Sequence, residues 1–232
     1  MNRFDQETLN RFLVNLQSDN VECHAISVYQ DGRNVLNKAF HPFRTKSLHP
    51  LYSVTKSFTS IAFGFMQEEK HLNLDSAWIQ YFPEYKEQAT EKFKRVTLRH
   101  LLTMTMGQDA EAMVQGEDNW ISAIVRRRIV YDPGTKFFYN SMCSYLIGRL
   151  VERETKLKMS SFLEKKLFKP LGIKDFYWEE DREGHCLGGY GLHLSTEDLC
   201  KFGVSFEQWL ILGEAGNTQK VYQRGNIIAG FK

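Results

Sequence analysis

The chain has 232 residues, of which 42% are hydrophobic and 25% are charged, a balance typical of a folded globular protein. This length fits one large domain or a pair of interlocked subdomains. The formal net charge of +2 is too small to indicate a partner such as nucleic acid or an anionic membrane surface.

The first part of the chain predicts a helix, a β-hairpin and a longer helix. Residues 5–18 carry apolar side chains at helical spacing. Residues 24–40 contain two β-branched, alternating runs around Asp31-Gly32, a dipeptide typical of tight hairpin turns. The next stretch, residues 41–50, has a proline near each end and is interpreted as a loop. An apolar helix is then predicted over residues 53–70.

The rest of the chain predicts mainly helices. Thr97 is a capping residue at the start of a helical pattern that ends near residue 103. Ser195, with Asp198 three residues later, is close to a capping box that opens another helix. Residues 176–178 and 221–228 are weak strand candidates. Further helices are predicted over residues 120–128, 141–155 and 160–168.

The cysteines and the apolar runs bear on location and on metal binding. The four cysteines, Cys23, Cys143, Cys186 and Cys200, are scattered without a C-x-x-C pair, which predicts reduced thiols in a cytoplasmic protein. Because neither cysteines nor histidines show ligand spacing, no metal and no other cofactor is expected. No run of about 18 apolar residues occurs, so no membrane segment is expected.

A serine and a lysine stand three residues apart at the head of the helix predicted over residues 53–70, in Ser53-Val54-Thr55-Lys56. Side chains at this spacing share one helix face. A serine becomes a nucleophile when a neighbouring base takes its proton, and a lysine can do so where burial disfavours its ammonium form. By spacing alone, the pair is either a nucleophile with its base or two polar residues on an ordinary helix.

Ordered sequence blocks around this pair favour a nucleophile with its base. They are the S-x-x-K helix ending in "HLNLD", "VTLRHLLTMTMGQD" (96–109), "DPGTKFFYNSMCSYLIGRLVE" (132–152), "LFKPLGIKD" (167–175) and "GGYGLHLSTEDLCKFG" (188–203). From about residue 22 to residue 205, the chain resembles the serine β-lactamase and penicillin-binding-protein-like family, especially its class C and esterase-like branch.

The resemblance implies a role for each matching residue. Ser53 would be the acylated nucleophile and Lys56 its base or proton-relay partner. Tyr139, as a phenolate or proton relay, would activate Ser53 and protonate the leaving group; otherwise it is an aromatic packing residue before a helix. Ser141, or in second place Asn140, would occupy the substrate-binding position where the family carries Asn or Ser.

The implied reaction is acyl transfer to water from a small-molecule ester, amide or β-lactam, with the backbone N–H of Ser53 as one oxyanion donor. Nucleic acid is not an expected partner. Gln108, Asp109 and Tyr190 are either binding-cleft or surface-loop residues.

The implied fold is α/β, of the α+β kind: an antiparallel sheet flanked by helices, with a helical subdomain. The expected organisation is a β-lactamase-like domain over residues 1–205, with a sheet hairpin at 22–41 and a helical region at 53–205. Residues 206–232 would form an atypical C-terminal tail.

The sequence departs from the family after Gly191, where no K-T-G or H-x-G motif follows. That motif stands on a strand that supplies the second oxyanion donor, and its absence leads us to expect incomplete C-terminal strands. A truncated chain, a frameshifted tail and an unusual short variant all fit this departure. The alternatives to an active enzyme are a degenerate family member, which binds ligand or is acylated without turnover, and a helical interaction protein whose motifs are accidental.

Overall fold

The structure is a computed structural model that describes residues 5–30, 33–111, 114 and 116–214, with side chains as far as residue 205. Over these ranges the protein is a mixed α/β fold. The helices are α1 (Gln6–Ser18), α2 (Thr55–Lys70), α3 (Leu98–Leu102), α4 (Trp120–Arg126), α5 (Ser141–Thr155), α6 (Met159–Leu163) and α7 (Thr196–Glu214), and the strands are β1 (Ala25–Gln30), β2 (Arg33–Ala39), β3 (His49–Pro50), β4 (Tyr177–Trp178) and β5 (Leu192–Leu194).

The described residues form two compact units, and the first contains residues 5–50, 170–177 and 193–214. The predicted hairpin is confirmed as the antiparallel pair β1–β2, which carries an irregularity at Val28/Tyr29; the predicted turn, Asp31-Gly32, lies outside the described residues. Helix α7 packs on β1, where the Cys200 thiol contacts the carbonyl oxygen of Ser27 at 3.4 Å. The predicted cap is also confirmed, because Ser195 Oγ accepts the backbone N–H of Asp198 at 3.1 Å.

Two short strands, β3 and β5, were not predicted. In β3, His49 pairs with Leu194 and Pro50 with His193, so the interpretation of residues 41–50 as loop throughout was wrong at its end. Strands of two and three residues are too short to show the alternating pattern by which strands are recognised. The weak candidate at residues 176–178 is confirmed as β4, whereas the candidate at 221–228 lies outside the described residues.

The second unit, residues 51–169 and 178–192, is mainly helical. Its core forms where α2 packs on α5. The α2 residues Phe58, Ala62 and Met66 recur every four positions, the spacing of one helix face, and all are fully buried. The buried Trp78 begins a 3₁₀ turn, Trp78–Tyr81, and anchors it by donating its indole N–H to the Leu146 carbonyl of α5 at 3.0 Å.

Most predicted helices of this unit are confirmed, with differences at their ends. The helix predicted from residue 53 begins at Thr55, after a 3₁₀ turn over Tyr52–Val54. The helix predicted over 160–168 is divided into α6 and a π-helical segment, Glu164–Phe168. Thr97 caps α3 as predicted, in a capping box completed by the side chain of His100.

A buried carboxylate ties the chain between β4 and β5 to the helices of the second unit. The side chain of Glu152 accepts the backbone N–H groups of Met159 at 3.1 Å and of Cys186 at 3.3 Å, and it contacts His185 Nδ1 at 2.7 Å. Closer to β5, the Glu179 N–H donates to the Gly191 carbonyl at 2.9 Å. These contacts hold the Gly188-Gly189 segment against α5.

No helix within the described ranges combines the length and the apolar character that crossing a membrane requires. The boundary between a domain at 1–205 and a tail at 206–232 stays a prediction, although α7 continues across it to Glu214.

Candidate active site

Ser53 lies at the centre of the 3₁₀ turn that leads into α2, and its side chain is exposed. The turn is held on both sides, because the Leu51 N–H donates to the Leu192 carbonyl at 2.8 Å and the Leu192 N–H donates to Thr55 Oγ1 at 3.2 Å. The residue before the serine, Tyr52, has a left-handed backbone with φ of 44°. This conformation is unfavourable for a bulky side chain, so the turn that presents Ser53 is strained.

The Lys56 ammonium group is surrounded by three oxygen acceptors. It donates to the Gly189 carbonyl at 2.6 Å, to Ser141 Oγ at 3.2 Å and to Ser53 Oγ at 3.3 Å. An ammonium has three protons to donate, so these contacts match its full donor capacity. The group also lies 4.8 Å from the centre of the Tyr139 ring, within cation–π range.

Tyr139 also contacts Ser53, through its phenol hydroxyl. Its position is fixed by the chain just before α5, where the Phe138 N–H donates to the Met104 carbonyl at 3.0 Å. The Tyr139 hydroxyl donates to Ser53 Oγ at 2.7 Å. Partial burial opposes ionisation, but hydrogen bonds from Lys56 and Ser53, together with the Lys56 charge, hold the pKa of the Tyr139 phenol below its ordinary value.

Ser141 and Asn140 occupy different environments. Ser141 faces the site, because its hydroxyl accepts from Lys56. The buried side chain of Asn140 caps α5 by accepting the Met142 N–H at 2.9 Å, and it donates to Gln108 Oε1 at 3.0 Å. Of the two residues predicted for this position, the structure therefore brings Ser141 to Lys56 and places Asn140 in a buried amide pair.

Gly189 is a site residue that sequence reasoning did not identify. It acts through its backbone carbonyl, which leaves no side-chain signature, and the signal that could have indicated it is the Gly188-Gly189 dipeptide. A Cβ atom on Gly188 would lie 2.4 Å from the Ser144 carbonyl oxygen, and one on Gly189 would lie 2.7 Å from that of Ser141. Both glycines allow the backbone to approach α5 closely enough for the carbonyl to reach Lys56.

Glu111 is the second site residue that was missed. Its carboxylate accepts the backbone N–H of Ser141, the first residue of α5. Burial and the negative charge of Glu111 both raise the pKa of the Tyr190 phenol. The same charge opposes the lowering of the Tyr139 pKa by Lys56. No sequence motif indicates Glu111, because its hydrogen-bond partner, Ser141, lies 30 residues further along the chain.

The arrangement places a serine hydroxyl between a phenol and an ammonium group, each within hydrogen-bond distance. A serine so placed can pass its proton to the phenolate form of the tyrosine, and the ammonium charge stabilises that phenolate before the transfer. Within the part of the chain that the structure describes, no group of three or more His, Cys, Asp or Glu side chains is placed to hold a metal ion.

Comparisons with known proteins bear on the family and the fold of the chain. The beta-lactamase family model matches residues 10–226. The Protein flp of Staphylococcus aureus strain MW2 is 24% identical over 212 residues, which cover 84% of this chain and 42% of that protein. The chain thus spans less than half the length of this relative.

Solved structures show a similar fold at low sequence identity. D-alanine carboxypeptidase AmpC from Burkholderia cenocepacia superposes with a TM-score of 0.68 at 20% identity, covering 86% of this chain and 63% of that one. The octameric penicillin-binding protein homologue from Pyrococcus abyssi has a TM-score of 0.67 at 22% identity, covering 97% and 58%. These likenesses confirm the fold expected from the resemblance.

Proposed function

The chain belongs to the beta-lactamase family, and from this premise we propose that it is a serine hydrolase that forms an acyl-enzyme at Ser53. The observation that carries the proposal is the placement of Ser53 Oγ 2.7 Å from the Tyr139 hydroxyl and 3.3 Å from Lys56 Nζ. The substrate is an ester, an amide or a β-lactam, because one attack on a carbonyl carbon serves all three.

In the acylation step, Ser53 Oγ forms a bond to the carbonyl carbon and its proton passes to Tyr139 in the phenolate form. The Lys56 side chain contacts Ser53, Ser141 and Gly189, and its positive charge stabilises that phenolate. When the tetrahedral intermediate collapses, the bond to the leaving group breaks and Tyr139 returns the proton to the departing alcohol or amine.

Deacylation reverses these roles with water as the nucleophile. Tyr139 takes a proton from water, the new oxygen–carbon bond forms, and the acid leaves as Ser53 Oγ regains the proton. The backbone N–H of Ser53 donates to the carbonyl oxygen in both steps. An oxyanion site that loses one donor typically loses about 10² to 10³ in rate. With this donor alone, both acylation and deacylation would be slow.

A fluorophosphonate activity probe tests the proposed nucleophile. The probe should add to Ser53 in the wild-type protein, with the mass change located on the peptide that contains residues 51–56. Ser57→Ala is the matched control, since Ser57 is an exposed serine on α2. Labelling should persist in Ser57→Ala and disappear in Ser53→Ala; labelling that survives in Ser53→Ala would show that the nucleophile is another residue.

A further inference from the structure

We propose that the site prefers substrates whose acyl group is apolar, such as the ester or amide of a medium-chain or aromatic acid. Four exposed side chains, which we call the apolar rim, would contact that group: Tyr52, Val54, Phe137 and Tyr139. The inference rests on the proposed function, since it names a substrate class for the same site. It concerns the acyl group because that group is joined covalently to Ser53 Oγ in the acyl-enzyme.

The clustering of the apolar rim is the first argument. Within the described residues, these four exposed hydrophobic side chains fall in two short segments, 52–54 and 137–139. Isolated exposed hydrophobic residues are ordinary on a protein surface, whereas a cluster of them indicates a binding surface. The two segments meet where the Tyr139 hydroxyl donates to Ser53 Oγ at 2.7 Å. The cluster therefore borders the proposed nucleophile.

The chain before α5 places Phe137 on the same side as Tyr139. Exposure alternates along this chain: Phe137 is 62% and Tyr139 47% exposed, whereas Phe138 is half-buried and Asn140 is buried. The backbone of Asn140 is extended, with φ of −147° and ψ of 113°. In an extended chain, residues two positions apart point to the same side. Because the Tyr139 hydroxyl reaches Ser53 Oγ, Phe137 borders the same surface.

Tyr52 and Val54 belong to the 3₁₀ turn of Ser53 itself. Tyr52 is 72% and Val54 44% exposed. The left-handed backbone of Tyr52 costs free energy, and an exposed ring does not recover that cost by packing in the core. Strain of this kind is concentrated at functional sites. Contact with a substrate would explain why a bulky aromatic residue occupies this position.

Lys56 offers a competing interaction. Its positive charge lies 3.3 Å from Ser53 Oγ and would favour an anionic acyl group. Lys56 is half-buried, however, whereas every member of the apolar rim is exposed to a ligand. The two features favour opposite substrates, so an experiment can separate them.

Three 4-nitrophenyl esters of increasing acyl length, the acetate, the butanoate and the hexanoate, test the apolar preference. The measured quantity is the second-order rate constant of nitrophenol release, divided by the rate constant of the same ester with hydroxide. Complete burial of one methylene group is worth about fourfold in binding, and a surface that covers one side of the chain should give about twofold. We therefore expect a hexanoate-to-acetate ratio of about 16.

An anionic ester separates the apolar rim from Lys56. The 4-nitrophenyl monoester of adipic acid is compared with the ester of 6-methylheptanoic acid, in which two methyl groups replace the carboxylate oxygens. We expect the neutral ester to react at least about fourfold faster, by the same value for each apolar carbon. An anionic ester that reacts as fast as the neutral one, or faster, would overturn the proposal and assign the selectivity to Lys56.

Variants identify the residues responsible. Phe137→Ala should lower the hexanoate-to-acetate ratio about threefold, because it removes one ring of the apolar rim. The control is Leu157→Ala, which removes an exposed apolar side chain beyond the far end of α5, a helix about 22 Å long, and should leave the ratio unchanged. If Phe137→Ala does not fold, Val54→Thr replaces an exposed methyl group by a hydroxyl of similar size and should lower the ratio about twofold.

The outcomes separate the two proposals. A hexanoate-to-acetate ratio of about one, or a ratio that Phe137→Ala and Val54→Thr leave unchanged, would overturn the apolar preference while the nucleophile stands. Nitrophenol release no faster than in Ser53→Ala would overturn the proposed function, and the preference with it.

Discussion

At the scale of single residues, the site divides the properties of a base between two side chains. Lys56 supplies a positive charge that is fixed by three acceptors, and Tyr139 supplies the oxygen that lies closest to Ser53 Oγ. Glu111 acts on the same phenol in the opposite sense. The reactivity of Ser53 should therefore depend on the balance between one ammonium and one carboxylate.

The first prediction concerns the tyrosine itself. Tyr139→Phe removes the proton acceptor and should lower the rate of Ser53 acylation by about 10² to 10⁴. Tyr131→Phe is the matched control, because its hydroxyl contacts Lys136 at 3.0 Å, outside the site. Both variants can be compared by the rate of fluorophosphonate labelling, and equal rates for Tyr139→Phe and the wild type would exclude a role in proton transfer.

The pH dependence gives a second prediction. The phenolate is the active form, and the pKa of Tyr139 is lowered. The second-order rate constant for a neutral ester should therefore rise with pH and level off at a pH below about 10, the ordinary pKa of tyrosine. Lys56→Gln should move this limb to higher pH, because the ammonium charge is lost. Glu111→Gln should move it to lower pH, and shifts of the opposite sign would contradict the proposed division of charge.

At the scale of elements, the site depends on how closely the Gly188-Gly189 segment approaches α5. Thr59 of α2 also holds this segment, since its buried hydroxyl donates to the Gly188 carbonyl at 2.7 Å. The two helices thus hold the backbone whose next carbonyl, that of Gly189, fixes Lys56. A small displacement of this segment should therefore change the position of the Lys56 ammonium group.

A third prediction tests that dependence. In Gly189→Ala, the new methyl group would meet the Ser141 Cβ atom at 2.8 Å, so the segment must move. Overpacking of this kind costs about 1 to 3 kcal/mol of stability, and loss of the Lys56 contact should slow labelling of Ser53 at least tenfold. The control is Gly203→Ala in α7, where no atom lies within 4 Å and alanine should stabilise the helix by about 0.5 to 1 kcal/mol. Unchanged labelling in Gly189→Ala would show that the carbonyl does not position Lys56.

The sequence predicts some of these elements better than others. The helix α5 is predicted at its observed bounds, because its apolar residues recur at helical spacing. The beginning of α2 is not, because a 3₁₀ turn has nearly the same sequence pattern as a first helical turn. Ser53 and Lys56 can be related by local spacing, whereas Tyr139 required the family resemblance. Glu111 carries no signal in the sequence, since its role arises from tertiary packing.

At the scale of the whole molecule, several ionisable groups of the second unit are buried in neutral form. Burial raises the pKa of the Cys143 thiol to about 12 and that of the Cys186 thiol to about 11. Burial likewise raises the pKa of the Tyr145 phenol. Because these groups ionise more easily in the unfolded chain, they stabilise the fold fully below their unfolded pKa and lose that contribution as pH rises through the folded pKa.

The fourth prediction is therefore a loss of stability in alkali. The free energy of unfolding should decrease above about pH 8.5, where unfolded thiols ionise, by about 2 kcal/mol for each buried thiol at pH 10. Urea unfolding at pH 7 and pH 10 under reducing conditions measures this difference. Replacing Cys143 and Cys186 together by alanine should make the difference smaller by about 4 kcal/mol, and an unchanged difference would count against buried neutral thiols.

The left-handed backbone of Tyr52 has a consequence for how this protein could be engineered. Glycine adopts such a conformation freely, so Tyr52→Gly removes a strain of about 1 kcal/mol or more. The variant should melt at a higher temperature in a thermal scan and should label more slowly at Ser53, because the turn is no longer held in one shape. Selection for heat resistance alone would thus favour replacing Tyr52, and a screen that keeps hydrolysis as a second criterion would retain it.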